Sequence, residues 1–434
     1  MIAEEGTTII LKRSSNISKP SSASVQLRRV IKGALALVIC AHLFSTEIAA
    51  QVPVASKPLR LTPHRISLGK RKTFNLYLPK EFEITVAAKG LRRVRFMAES
   101  PDKRIFVTDM YNRTDNSRGA VYILGDFNEE AGYFASVTPF LTNLRNPNSI
   151  AFYTDKSKNH WFYLALTDRL VRYRYREGES APASQPEVLA TFPDYGLNYK
   201  YGGWHLTRTV VIGSNEKLYV AVGSSCNACE EKEEIRAAVV EMDPDGKNQR
   251  IFARGLRNAV GVKWADKQLF VTNMGADHLG NDRPEDTMYI IEENANYGWP
   301  YCYQYRSQVY ADPQFAKSNK KIDCKNAPLA YRGFGAHSSP LGFERFDSTA
   351  TDANLKNSFL VALHGSSKLS LRRGYSIVRV RKEGSPQDFV RGFLQGGRIY
   401  GRPADVMRTG ADSFLFTDDH VGVVYYVFKK KEAR

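Results

Sequence analysis

The sequence predicts an all-β protein folded as a six-bladed β-propeller, and three observations carry the prediction. Helical periodicity is almost absent after residue 50. A unit of apolar strand, polar turn and second strand rich in Val, Phe, Tyr and Leu recurs at 94–109, 149–167, 209–223, 261–273, 342–363 and 405–418. Further β-rich runs follow these copies, at 119–125, 170–175, 237–242, 288–292, 375–381 and 422–428. Strand, turn, strand and then outer strands is the layout of a propeller blade.

Taken in chain order, Arg28, Arg29 and Lys32 precede an apolar run, 33–44, that is shorter than the ~20 residues a spanning helix needs. Small residues follow at Ile48-Ala49-Ala50. We read 1–50 as a signal peptide or N-terminal leader, with an uncleaved anchor as the alternative, and expect an exported protein, periplasmic or secreted. Residues 51–70 read as a linker and 71–434 as a single propeller domain. The stretch 71–86 has β character, and one part of it is expected to complete the last blade beside 423–428, because an open ring would leave strand edges unpaired. The inner-strand anchors Phe96, Ala151, Val211, Val262, Phe343 and Val406 recur at roughly 50–80 residues, against about 40–50 for a compact repeat. The blades must therefore carry long loops, the longest between Asn294 and Leu341.

A net charge of +17 over 434 residues favours anionic ligands or reflects a solvated basic face. No nucleic-acid module accompanies it, so no nucleic-acid partner is expected. Outside the leader, four cysteines remain. We pair Cys226 with Cys229 and Cys302 with Cys324, as an even count in an oxidising compartment suggests. A zinc site or redox-active Cys-x-x-Cys is the alternative, but no second Cys-x-x-Cys supplies ligands and no βαβ context is present.

Two polar clusters stand directly before strand pairs. In Trp204-His205-Leu206-Thr207-Arg208, a neutral histidine can take a proton from a hydroxyl near pH 7. In Gly255-Leu256-Arg257-Asn258, the guanidinium offers a planar fork to carboxylates or oxyanions, and the amide both donates and accepts. Arg402 precedes the last blade in the same manner. Gly275-Ala276-Asp277 suits a Ca²⁺ site or a plain polar turn. Asn296-Tyr297-Gly298-Trp299-Pro300 could wall a flat ligand or pack the rim.

With these residues in view, the chain resembles the soluble glucose/sorbosone dehydrogenases, the pyrroloquinoline quinone (PQQ)-dependent aldose dehydrogenases. The resemblance runs through 82–109, 205–227, 255–275, 296–302, 364–380 and 401–419. It implies a six-bladed propeller, PQQ and Ca²⁺ as cofactors, a small-molecule sugar as substrate and a soluble electron acceptor. His205 would be the base, Arg257 would stabilise charge on the quinone oxygen, and Asn258 and Arg402 would bind PQQ. The carbonyls of Gly275 and Ala276 would hold Ca²⁺. The chain departs from the pattern at Ser367-Lys368-Leu369-Ser370, where members often carry Trp-Asn-Arg, so Lys368 would supply the cationic contact. Ala404 replaces a second cofactor-binding arginine. Other readings are a non-catalytic or carbohydrate-binding propeller and a Ca²⁺-dependent lactonase-like hydrolase.

Overall fold

The computed structural model describes residues 58–69, 72–194, 204–319 and 321–430. The leader and the pair Gly202-Gly203 lie outside them. The described chain forms six antiparallel blades arranged as a β-propeller. Their innermost strands are Val94–Glu99, Ser149–Thr154, Arg208–Ile212, Ala259–Ala265, Pro340–Phe346 and Pro403–Arg408, and each touches the next in a closed ring. Among the described residues no helix is long and apolar enough to cross a membrane.

The ring closes as the sequence suggests. Phe82–Ala88 lies antiparallel beside Val423–Lys429 and becomes the outer strand of the last blade. The sequence reading is incomplete just before it. Leu61–Ser67, placed within the linker, is a strand that pairs with Thr73–Pro79, and the pair extends the fifth blade to six strands. Only one side of this strand is half-buried, so it carries no apolar alternation to read.

Apolar residues on facing sheets interdigitate between blades. Phe346, Phe389, Phe393, Phe414 and Phe416 fill the space between the fifth and sixth, all fully buried. Each such side chain stabilises the fold by about 1.5–3 kcal/mol relative to exposure.

A short repeat ties the blades at the axis. Thr108, Thr272 and Thr417 each stand next to last in a second strand, which ends on Asp109, Asn273 and Asp418 respectively. Each threonine Oγ1 accepts an N–H from its own inner strand, from Phe96, Gly261 and Asp405 respectively. Each also donates to a carbonyl of the next blade, on Asn148, Leu341 and Arg95. The Asp or Asn that follows accepts the N–H of the residue leading into the inner strand: Arg93, Asn258 and Arg402. These three positions are therefore structurally equivalent. The register pairs Arg402 with Asn258, one residue along from Arg257.

Candidate active site

The lead-in turns converge on one end of the axial channel. They enclose a cavity of about 530 Å³ lined by His205, Arg257, Asn258, Gly275 and Arg402, together with Trp204, Arg93, Arg95, Arg113 and His364. Phe96, Val260, Leu341 and Ala404 pack together beneath it as an apolar floor. Ala404 belongs to that floor and is fully buried.

His205 is half-buried and sits at φ 48°, in the left-handed region that a non-glycine residue seldom occupies. Its position depends on Gly223, where a Cβ would lie 2.6 Å from the His205 Cβ and 2.7 Å from Asn258 Oδ1. The ring Nδ1 lies 3.0 Å from the Ser224 carbonyl and 3.0 Å from Ser224 Oγ. The carbonyl can only accept, and the hydroxyl already donates to the Cys226 carbonyl at 2.7 Å. The network therefore assigns the proton to Nδ1 and leaves the Nε2 lone pair unprotonated. Nε2 has no hydrogen-bond partner among the described residues. Burial, aided by the Arg257 charge, holds the imidazole well below its usual pKa.

Arg257 is buried, and its guanidinium is pinned to one neighbour. Nε donates to the Asn227 carbonyl at 2.8 Å and Nη2 to Asn227 Oδ1 at 2.9 Å, with Asp277 3.5 Å away. The Asn258 amide nitrogen donates to Met274 Sδ at 3.4 Å, while its buried Oδ1 has no partner. A buried, unpaired acceptor is unusual in a folded protein.

The opposite wall is an ion network. Asp419 is fully buried and receives Arg93 at 2.7 Å, Arg95 at 2.8 Å and His364 Nε2 at 2.7 Å. Burial pulls the His364 pKa down to about 4, against the pull of Asp419, so the ring is neutral at pH 7. Arg402 donates to the Gly365 carbonyl at 2.8 Å and to Tyr375 Oη at 2.9 Å, while its buried Nε is unpartnered. Burial lowers the pKa of Arg402, and that of Arg93 to about 10, so Arg93 remains charged at pH 7.

Gly275 borders the cavity, and its N–H donates to Asp286 Oδ1 at 2.8 Å. Asp286 also accepts from Ser339 N, yet burial dominates and raises its pKa to about 6. Ala276 is buried and faces an adjoining cleft. Neither carbonyl of this turn accepts a hydrogen bond among the described residues.

The structure thus brings together His205, Arg257, Asn258, Gly275 and Arg402. It does not bring Lys368 to them: that residue is exposed ahead of the short 3₁₀ turn Leu369–Leu371, and the cavity is not lined by it. Cys226–Cys229 and Cys302–Cys324 are disulfides, which removes the zinc alternative. The sequence reading missed Arg93, Arg95, Arg113, His364 and Asp419. The Thr-Asp/Asn repeat would have found Arg93, since Asp109 marks it as Asp418 marks Arg402.

Five arginines face three carboxylates around this cavity, Asp277, Asp286 and Asp419. Such a donor set fits an anionic, carboxylate-rich ligand such as PQQ, and the unpaired Arg402 Nε and Asn258 Oδ1 add one donor and one acceptor.

Known proteins agree with this architecture. The propeller is similar to a carbohydrate-active enzyme of family AA12 from Trichoderma reesei, with 16% identity, 87% of this chain and 100% of that chain covered, and a TM-score of 0.67. It is also similar to the PQQ domain of pyranose dehydrogenase from Coprinopsis cinerea, at 17% identity over 82% and 97% of the two chains with a TM-score of 0.66. The soluble aldose sugar dehydrogenase of Escherichia coli matches at 13% identity over 80% and 100%, with a TM-score of 0.55. At these identities the likeness is one of fold. A curated relative, an uncharacterized protein of Borreliella burgdorferi, is 29% identical over 239 residues, or 52% of this chain, and the chain spans 61% of that relative's length. A family model described as TrAA12-like matches residues 77–391, most of the propeller. The chain belongs to the TrAA12-like family.

Proposed function

We propose that the protein is an exported quinoprotein oxidoreductase that oxidises an aldose or related sugar aldehyde, with PQQ and Ca²⁺ as cofactors. The single observation that carries this reading is the state of His205: an imidazole kept neutral, with its proton on Nδ1, in a cavity walled by arginines. When bound, PQQ supplies the two-electron acceptor that no protein side chain offers. His205 Nε2 takes the proton from the anomeric hydroxyl of the sugar. Arg257, Asn258 and Arg402 would hold the cofactor, with the Arg257 charge placed to stabilise negative charge on it. Arg93, Arg95 and Arg113 add positive field from the first blade in place of Lys368. The carbonyls of Gly275 and Ala276 are the proposed oxygen ligands of Ca²⁺. Trp204, 45% exposed beside His205, offers a flat apolar face to a sugar. A soluble carrier would receive the electrons.

The test is reconstitution. PQQ and Ca²⁺ added to purified apo-protein should support dye reduction with at least one of a panel of aldoses, and His205→Ala should abolish it. Absence of PQQ binding, or lactone hydrolysis without PQQ, would overturn the reading.

A further inference from the structure

The disulfides take no part in the reaction assigned above, yet one of them borders it on two sides. Cys226–Cys229 closes a ring with Asn227 and Ala228 inside it. On one side, Ser224 holds His205 Nδ1 through both its carbonyl and its hydroxyl, and the hydroxyl proton is committed to the Cys226 carbonyl. On the other, Asn227 accepts both hydrogen bonds of the Arg257 guanidinium, and its Oδ1 also accepts the Asp277 N–H at 2.8 Å. The Ser224 N–H donates to the Arg257 carbonyl at 2.8 Å, so the two sides share one backbone. We propose that the Cys226–Cys229 ring is a positioning element of the active site, fixing the His205 tautomer through Ser224 and the Arg257 fork through Asn227.

The physical basis is the direction of one proton. With the ring closed, the Cys226 carbonyl takes the Ser224 hydroxyl proton, so Ser224 Oγ faces His205 with a lone pair. With the ring open, that carbonyl is no longer held in place. The hydroxyl is then free to donate to Nδ1 in competition with the Ser224 carbonyl, which weakens the preference for Nδ1–H and populates the tautomer with hydrogen on Nε2, in which the lone pair a base needs is lost. The same opening releases Asn227, whose carbonyl direction sets the Arg257 fork. A cross-link suits this task because it limits the loop without depending on a hydrophobic core. The second disulfide supports the first: Ala228 packs on Tyr301, Cys302 and Phe315, with Ile322 and Cys324 alongside, and Lys321 pairs with Glu230 at 3.1 Å. The long loop of the fourth blade thereby braces the ring of the third.

The effect on turnover rests on the reading of His205 as the base, whereas the tautomer does not. The full chain, labelled with ¹⁵N-histidine, is examined by NMR without cofactor, and His205 is identified by the resonance lost in His205→Gln. We expect the Nδ1–H signature in the native chain and a shift toward Nε2–H in Cys226→Ala/Cys229→Ala. Turnover of that variant with PQQ and Ca²⁺ should fall by on the order of tenfold to a hundredfold, as expected when reacting groups are misplaced by about 1 Å. A folded double variant that keeps the native tautomer and native turnover overturns the proposal. Should the double variant not fold, Asn227→Ala decides with the disulfide intact: a lower kcat at unchanged KM supports the clamp, and native kcat overturns it. If the native chain has no PQQ-dependent turnover, the assigned reaction fails, and the tautomer comparison still decides the positioning role.

Discussion

The two walls of the cavity are built on different principles. The wall from the third and fourth blades carries His205, Arg257 and Asn258, held by hydrogen bonds to neutral partners with Asp277 3.5 Å from Arg257, and leaves Nε2 of His205 and Oδ1 of Asn258 unused. The wall from the fifth, sixth and first blades gathers Arg93, Arg95 and His364 around the buried Asp419, with Arg402 packed on His364, and nearly satisfies itself. The first wall is prepared for chemistry. The second contributes charge and rigidity. Substitutions should therefore act on turnover at one wall and on stability at the other.

The largest effect is expected at His205. His205→Gln preserves much of the shape but removes the proposed base, and kcat should fall by roughly 10²–10⁴-fold with little change in unfolding midpoint. The native enzyme should also stay active on the acid side of neutrality. The His205 pKa lies well below 6.5, so the base is neutral above that value and turnover is lost only as pH falls through the lowered pKa. A kcat/KM profile whose acid limb lies at or above pH 6.5 would contradict this wall's electrostatics.

Asp419→Ala tests the other wall. It leaves Arg93 and Arg95 facing each other without their shared anion, and removing one partner of a buried ion network costs about 3–5 kcal/mol. Denaturant unfolding of the apo-protein should register that loss. A variant as stable as the native chain would mean that this network is solvated in solution.

Asn258→Ala separates binding from stability within the first wall. Its Oδ1 is already unpaired, so the apo-protein should be unchanged or slightly more stable, since an unsatisfied buried acceptor costs about 1–3 kcal/mol. PQQ affinity should nonetheless drop, by about two- to tenfold for one lost hydrogen bond from a neutral donor. Equal losses in stability and affinity would make Asn258 structural.

The same division explains what was legible in the sequence. His205, Arg257 and Asn258 lie in short motifs beside their own inner strands, and the repeat of paired strands locates them. Asp419 and Arg95 are 324 residues apart in sequence, and only ring closure by Phe82–Ala88 brings the first blade against the last. No local pattern announces a contact created by closure. The Thr-Asp/Asn repeat was the available signal, because it marks Arg93, Asn258 and Arg402 as one position in three blades. The strand Leu61–Ser67 was hidden for another reason. It lies at a sheet edge with one half-buried face, where polar residues are tolerated and apolar alternation is not required.

Lys368 gives the smallest expected effect and the sharpest test of how charge is shared between the walls. The sequence puts a lysine where a cationic cofactor contact was expected, but the side chain is exposed, and Arg93, Arg95 and Arg113 already crowd the cavity from the first blade. Lys368→Ala should change stability by less than about 0.5 kcal/mol, as for surface positions without partners. PQQ affinity, measured by titration in Ca²⁺-containing buffer, should stay within about twofold, because a charge exposed to solvent is screened beyond a Debye length of about 8 Å. Arg113→Ala in the same titration should weaken binding more than Lys368→Ala does. The reverse ranking would mean that the 364–373 loop folds over the ligand, and the second wall would then bind through Lys368 as well as through Arg402.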